Sequence, residues 1–170
     1  MKHLKTLLFA TVLCLGVVSF SQAQSKVAHI NTQDLITAMP EMKSAQAQME
    51  KLGKTYEADI KEMATQLDNK AKQYEAESTT KTDEENNKRR EELMGIESNI
   101  RQYQAQAQRD LQQKELDLLK PITEKAKNAI LKVARAQGFQ YVLDSSQGNG
   151  VIMADGKDLL ADVKKELGIQ

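Results

Sequence analysis

Between about Met42 and Pro121 the chain carries an apolar repeat that only long paired helices satisfy. Met42, Met49, Tyr56 and Met63 recur at heptad spacing, and Ala45 and Leu52 fall at the intervening three- and four-residue steps. Such a seam is one face of a helix that needs a second helix against it. From Ile60 the seam slides to Leu67 and Tyr74. After a polar stretch, Leu93, Ile96, Ile100, Tyr103, Ala107, Leu111 and Leu118 repeat the same spacing. At about 1.5 Å of rise per residue, each arm is roughly 50–55 Å long. An ordinary globular core has no use for arms of that length.

The breaks in the repeat place the turn and the ends. Ser78 to Thr82 holds no apolar residue, and Thr82 followed by Glu85 fits a capping box, in which each side chain satisfies the other's backbone amide. The tip of a helical hairpin is therefore expected near 78–82. The first arm starts at Pro40 or Glu41, because proline is at home in the first turn of a helix. Gly53 and Gly95 lie inside the arms, each costing about 1 kcal/mol relative to alanine. They are either tolerated or points at which an arm flexes. A kink is expected at Pro121, which lacks the amide that the helix ladder needs. Ile122, Ala126, Ala129, Ile130 and Val133 continue an apolar face to an end near Ala136, with Gly138 as the cap.

The two ends of the chain read differently. Val27–Ile30 alternates and predicts a short strand, followed by a helical turn or two from Thr32 to Ala38, stopped by Met39-Pro40. Tyr141-Val142-Leu143 and Val151-Ile152-Met153-Ala154 are β-rich runs on either side of turn chemistry, which predicts a hairpin. Asp158 can cap a last helix carrying Leu159, Leu160, Val163 and Leu167, closed by Gly168. The fold class is α+β, with a long antiparallel helical hairpin (40–136) on a small β body drawn from 24–39 and 137–170. Val27, Ile30, Tyr141, Val142, Leu143, Val151 and Ile152 are the candidate core of that body and of an oligomer.

Residues 1–23 carry a different message. Lys2 and Lys5 precede an apolar run, Leu7 to Val18, and then Ser21-Gln22-Ala23: a secretory signal peptide with its cleavage site. A membrane anchor would need about 20 apolar residues, and this run is shorter. The one cysteine, Cys14, lies in the run without the small residue that a lipoprotein signal places ahead of it. Removing the leader takes Lys2 and Lys5 and no acid. The 24 basic side chains become 22 against 24 acidic ones, a net charge of −2. What remains has no thiol and only Phe139 and four tyrosines as aromatics, a thin supply for one compact core. An oligomer is expected.

Catalysis is not expected. His29, in the first strand, is the only histidine left after the leader. No glycine-rich loop followed by Lys-Ser/Thr offers a nucleotide cradle. Glu84, Glu85, Glu91 and Glu92 are interleaved with Lys88, Arg89 and Arg90, the pattern of a solvated face rather than a metal site. A slightly acidic chain without a basic stripe has little drive toward nucleic acid. No cofactor is implied. The methionines Met42, Met49, Met63 and Met94 are flexible and suit either arm-to-arm packing or a surface that accepts varied partners.

In order, Val-Ala-His-Ile-Asn at 27–31, Met-Pro at 39–40, the long charged hairpin and Leu-Leu-Lys-Pro-Ile at 118–122 are followed by three further matching pieces. These are Gly-Phe-Gln-Tyr-Val-Leu-Asp at 138–144, Gly-Val-Ile-Met-Ala at 150–154 and Asp-Leu-Leu-Ala-Asp-Val at 158–163. Together with the leader they resemble the Skp (OmpH) family of periplasmic chaperones over essentially the whole chain after residue 23. The resemblance implies a homotrimer whose β-barrel-like body carries three helical hairpins around a cavity. Unfolded outer-membrane proteins would be held there without ATP. The seam residues Met42, Met49, Leu52, Tyr56, Met63, Leu67, Tyr74, Met94 and Tyr103 are then candidates to face a client. Lys88, Arg89 and Arg90 are candidates for a weak lipid contact at the tip. Well-known members are strongly basic, and this chain is not. The alternative is a coiled-coil spacer or adaptor with one folded partner.

Overall fold

The computed structural model describes residues 26–169. The signal-peptide assignment lies outside the described residues. Strand β1 (Val27–Ile30) is followed by a short helix α1 (Thr32–Ala38) and a long helix α2 (Pro40–Glu77). A 3-10 turn at Ser78–Thr80 leads into the longest helix, α3 (Asp83–Ala136). Strands β2 (Tyr141–Asp144) and β3 (Lys157–Asp158) and helix α4 (Leu160–Leu167) complete the chain.

Local chemistry explains each boundary. The Asn31 side chain caps α1 by accepting from the Asp34 amide at 3.1 Å. Met39 separates the first two helices in extended conformation, and Pro40 opens α2 where its missing amide costs nothing. The capping box at the start of α3 is complete: the Glu85 amide donates to Thr82 Oγ1 at 3.2 Å, and the Thr82 amide donates to the Glu85 carboxylate at 3.0 Å. Helix α3 runs through Pro121 without ending and continues to Ala136. It stops in a Schellman motif: Gly138 has a φ of 74°, Phe139 N–H reaches Ala134 O, and Gly138 N–H reaches Arg135 O.

The sheet corrects the sequence reading. Its order is β2-β1-β3, and both neighbours run parallel to β1, with Val27 opposite Tyr141 and Ala28 opposite Lys157. Parallel neighbours need a crossover. The whole two-helix excursion is the crossover between β1 and β2. Val151 and Ile152 are not in a strand, and no hairpin joins them to Tyr141–Leu143. The chain instead crosses to the far side of β1, where Lys157–Asp158 pairs. That crossing delivers Leu159 and Val163, both fully buried, to the core. It leaves Ile152 and Met153 in solvent.

The core sits at the base. Ala28 and Ile30 point inward from β1 onto Leu35, Met39, Leu159, Val163 and an alanine-rich face of α3, with Ala126, Ala129 and Ala134. Small side chains there let the helix lie close on the sheet. Above Ala45, α2 has no fully buried residue, and α3 has only Ile100 and Ala107 before the base. The arms are a rod that projects from the core, about 54 Å long by helical rise.

Candidate functional site

Three polar clamps join the arms across their apolar seam. At the base, Lys125 pairs with Glu41, and the ammonium's hydrogen bond holds the Glu41 carboxyl below its usual range. In mid-arm, Tyr56 and Tyr103 meet edge to face, 5.8 Å between ring centres. Tyr56 OH donates to Asp110 at 3.0 Å, and Tyr103 OH donates to Asp59 at 2.6 Å, each reaching across to the other helix. The hydrogen bond to Asp59, with some burial and the carboxylate charge, pushes the Tyr103 phenol up to about 12; Asp110 raises Tyr56 in the same way.

The third clamp lies near the tip. Glu92 accepts from Lys70 and from Tyr74 OH, and both bonds lower its carboxyl, Lys70 most. Arg89 lies over the Tyr74 ring at 4.6 Å and pairs with Glu77 at 2.5 Å. Gln73, then Arg89, lower the Glu77 carboxyl. These bonds account for most of the basic tip cluster: Lys88 pairs with Glu84 at 2.8 Å, Arg89 is half-sequestered by Glu77, and Arg90 bonds Asn87. A lipid contact at the tip would rest mainly on Arg90.

The seam residues Met42, Met49, Leu52, Tyr56, Met63, Leu67, Tyr74 and Tyr103 are half-buried between the arms. Met94 is not among them; it stands 58% exposed on the outer side of α3. In the base, the candidate body residues divide. Ile30 is buried and Val142 half-buried on the inner face of the sheet, whereas Val27, Tyr141 and Leu143 form an exposed apolar outer face. Tyr141 is 60% exposed there, and the wholly exposed Ile152 belongs to the loop beyond.

A second apolar feature is a cleft of about 610 Å³ between the inner sheet face, α1 and the end of α3. Ile36, Ile130, Phe139 and Val142 line it, with Lys127 and Arg135 at the same wall. Asp144, at its rim, is fully engaged. Burial pushes its carboxyl up, but Thr32, Ser146 and their amides more than reverse that, and Asn149 adds a bond at 2.6 Å. His29 meets Ser145 Oγ at 3.2 Å, with no carboxylate bonded to it. Among the described residues no group of three or more His, Cys, Asp or Glu is placed to hold a metal ion. What the arrangement offers is surface: a long jointed rod, an apolar sheet face and an apolar cleft.

Nothing local in the chain marks Asp59 and Asp110 as tyrosine partners, since each pairing crosses between helices. The cleft and the exposed Leu116 likewise emerge only in the folded chain. Helical phase could have flagged Leu116, which falls off the seam.

The family described as "Outer membrane protein (OmpH-like)" matches residues 26–167. The chain is similar to the chaperone protein Skp of Pectobacterium atrosepticum, 22% identical over 156 residues, covering 91% of this chain and 93% of that one. The chaperone protein Skp of Photorhabdus laumondii is 26% identical over 149 residues, covering 86% and 88%. A crystal structure of an OmpH-like protein from Caulobacter crescentus CB15 superposes with a TM-score of 0.76 at 20% identity, covering 86% of each chain. It shares the α+β fold with helical arms.

Proposed function

The chain belongs to the OmpH-like outer membrane protein family, and on that footing we propose that it is a periplasmic holdase chaperone for outer-membrane proteins. It binds them unfolded and prevents their aggregation without ATP. The observation that carries this reading is the rod itself: two paired helices project far from the core with little buried between them. Such arms have no use in a self-contained globule and suit sheltering a flexible chain. Selective binding of the unfolded client over its aggregates suffices by mass action, so no catalytic group or cofactor is required.

The shelter needs several copies. The exposed face of Val27, Tyr141 and Leu143, with Ile152 and Met153 beyond it, is an apolar patch of the kind that marks an interface. Joining three copies through this face, as in the homotrimer the resemblance implies, sets three arm pairs around one cavity. The leader directs the chain to the periplasm and is removed there.

The test is an aggregation assay. An outer-membrane β-barrel protein diluted from urea stays soluble when the chaperone is present at near-stoichiometric ratio, with no nucleotide. Unchanged light scattering, together with one tight folded partner in a pull-down, would assign the chain to the spacer class instead.

A further inference from the structure

The two large apolar side chains left exposed on the arms above the base, Met94 and Leu116, lie on the same helix. At about 100° per residue they fall within about 40° of each other around α3. Arg101, Ala105, Gln112 and Leu119 lie on the same strip. From Arg90 to Thr123 this strip, about 80° wide by the same phase, contains no acidic residue. Its direction is well off the seam, where Ile100 and Ala107 are buried. Followed toward the base, it reaches Thr123 and then Ile130 and Ala134, which line the apolar cleft. The strip and the cleft are therefore one continuous track from near the tip to the body.

The charges on the strip itself have one sign. Arg90 and Arg101 lie on the strip, and Lys127 and Arg135 at the cleft; of these only Arg101 has an ion-pair partner among the described residues, Glu97 at 3.6 Å. Asp144 at the cleft rim is already engaged by Thr32, Ser146 and Asn149. The outer face of α2 differs. It carries Lys54 and Lys72, tied to Glu50 and Asp68, and no exposed large apolar residue.

We propose that this acid-free track on α3, running from Met94 past Leu116 into the cleft beside Lys127 and Arg135, is the surface on which an extended segment of unfolded polypeptide lies. The segment it fits is rich in apolar side chains and neutral or acidic in charge. This inference rests on the holdase reading and adds which arm and which face of it meet the client. An extended chain rises about 3.3 Å per residue, so a short run of client residues spans the distance from Leu116 to the cleft.

The chain beyond the leader has no cysteine, so single cysteines at Met94, Leu116 and, as a control, Ala58 on the outer face of α2 can each carry an environment-sensitive dye. All three positions are exposed, so labelling leaves the fold in place. The probe is a urea-unfolded outer-membrane β-barrel protein. The expected result is a blue shift at 94 and 116 and none at 58. Met94→Glu with Leu116→Glu then weakens client retention about tenfold or more, while Ala58→Glu leaves it unchanged and all variants keep wild-type helicity. If the unlabelled chain protects the client but the dye at 58 responds as strongly as those at 94 and 116, the track is wrong and the holdase reading stands. If the unlabelled chain neither binds nor protects, both fall.

Discussion

Replacing Gly53 and Gly95 with alanine should stabilise the protein, and by an amount the structure fixes. Both glycines lie inside helices, and neither has a positive φ. A methyl group added at either would meet nothing within 4 Å. No steric cost therefore offsets the entropy that glycine forfeits on folding. Each exchange is worth about 1 kcal/mol. The two sites lie on different arms at different heights and share no partner, so the effects add to about 2 kcal/mol. For a chain of this size that is a rise in Tm of roughly 4–8 °C. Urea unfolding followed by helical circular dichroism measures it, with an unchanged dependence on denaturant. A gain near zero, or a loss, would refute the reasoning: it would mean that something covers these positions or that the native arm bends there. Should the glycines serve as flex points, the stabilised variant will also hold a narrower size range of clients.

Other outcomes follow from particular contacts. Leu35→Ala empties a fully buried site under β1, and costs about 3 kcal/mol in the same urea titration. Above pH 10 the mid-arm clamp fails. The Tyr103 pKa is raised in the folded state, so its stabilising effect is complete below pH 10 and is lost as pH rises toward about 12. Tyrosinate absorbance should lag that of free tyrosine in this window, and Tyr103→Phe should shorten the lag, leaving the part that Tyr56 and Tyr74 contribute. Tyr141→Asp with Leu143→Asp should separate the copies while leaving each chain folded, because both side chains are exposed on the outer sheet face; sedimentation at micromolar concentration reads this.

The parts of the fold that the sequence announces are those whose cause is local. The three-four spacing, the Thr82–Glu85 box, Pro40 and the Gly138 cap each act within a turn of helix, and helices α2 and α3 follow from them. Strand pairing is not local. Tyr141–Leu143 and Val151–Ala154 look alike as β-rich runs, yet only the first finds a partner. Both sides of β1 are filled, one by β2 and the other by Lys157–Asp158, because Leu159 and Val163 must reach the core just beyond. The apolar demand of those two residues outweighs that of Ile152. The same limit hides the site. Tyr56 and Tyr103 are legible as seam residues, but Asp110 and Asp59 become their partners only through the register of the two arms. The cleft exists only once sheet, α1 and α3 meet. Lys88, Arg89 and Arg90 read as a cluster in sequence, and the helix geometry then hands Lys88 and Arg89 to Glu84 and Glu77.

Sedimentation of the purified chain, with and without an unfolded outer-membrane β-barrel protein, bears most directly on the idea that joined copies form a shelter. The predicted result is three chains in the free particle and one client added to those three, with no change in subunit count. A folded single chain at micromolar concentration that takes up no client would contradict it.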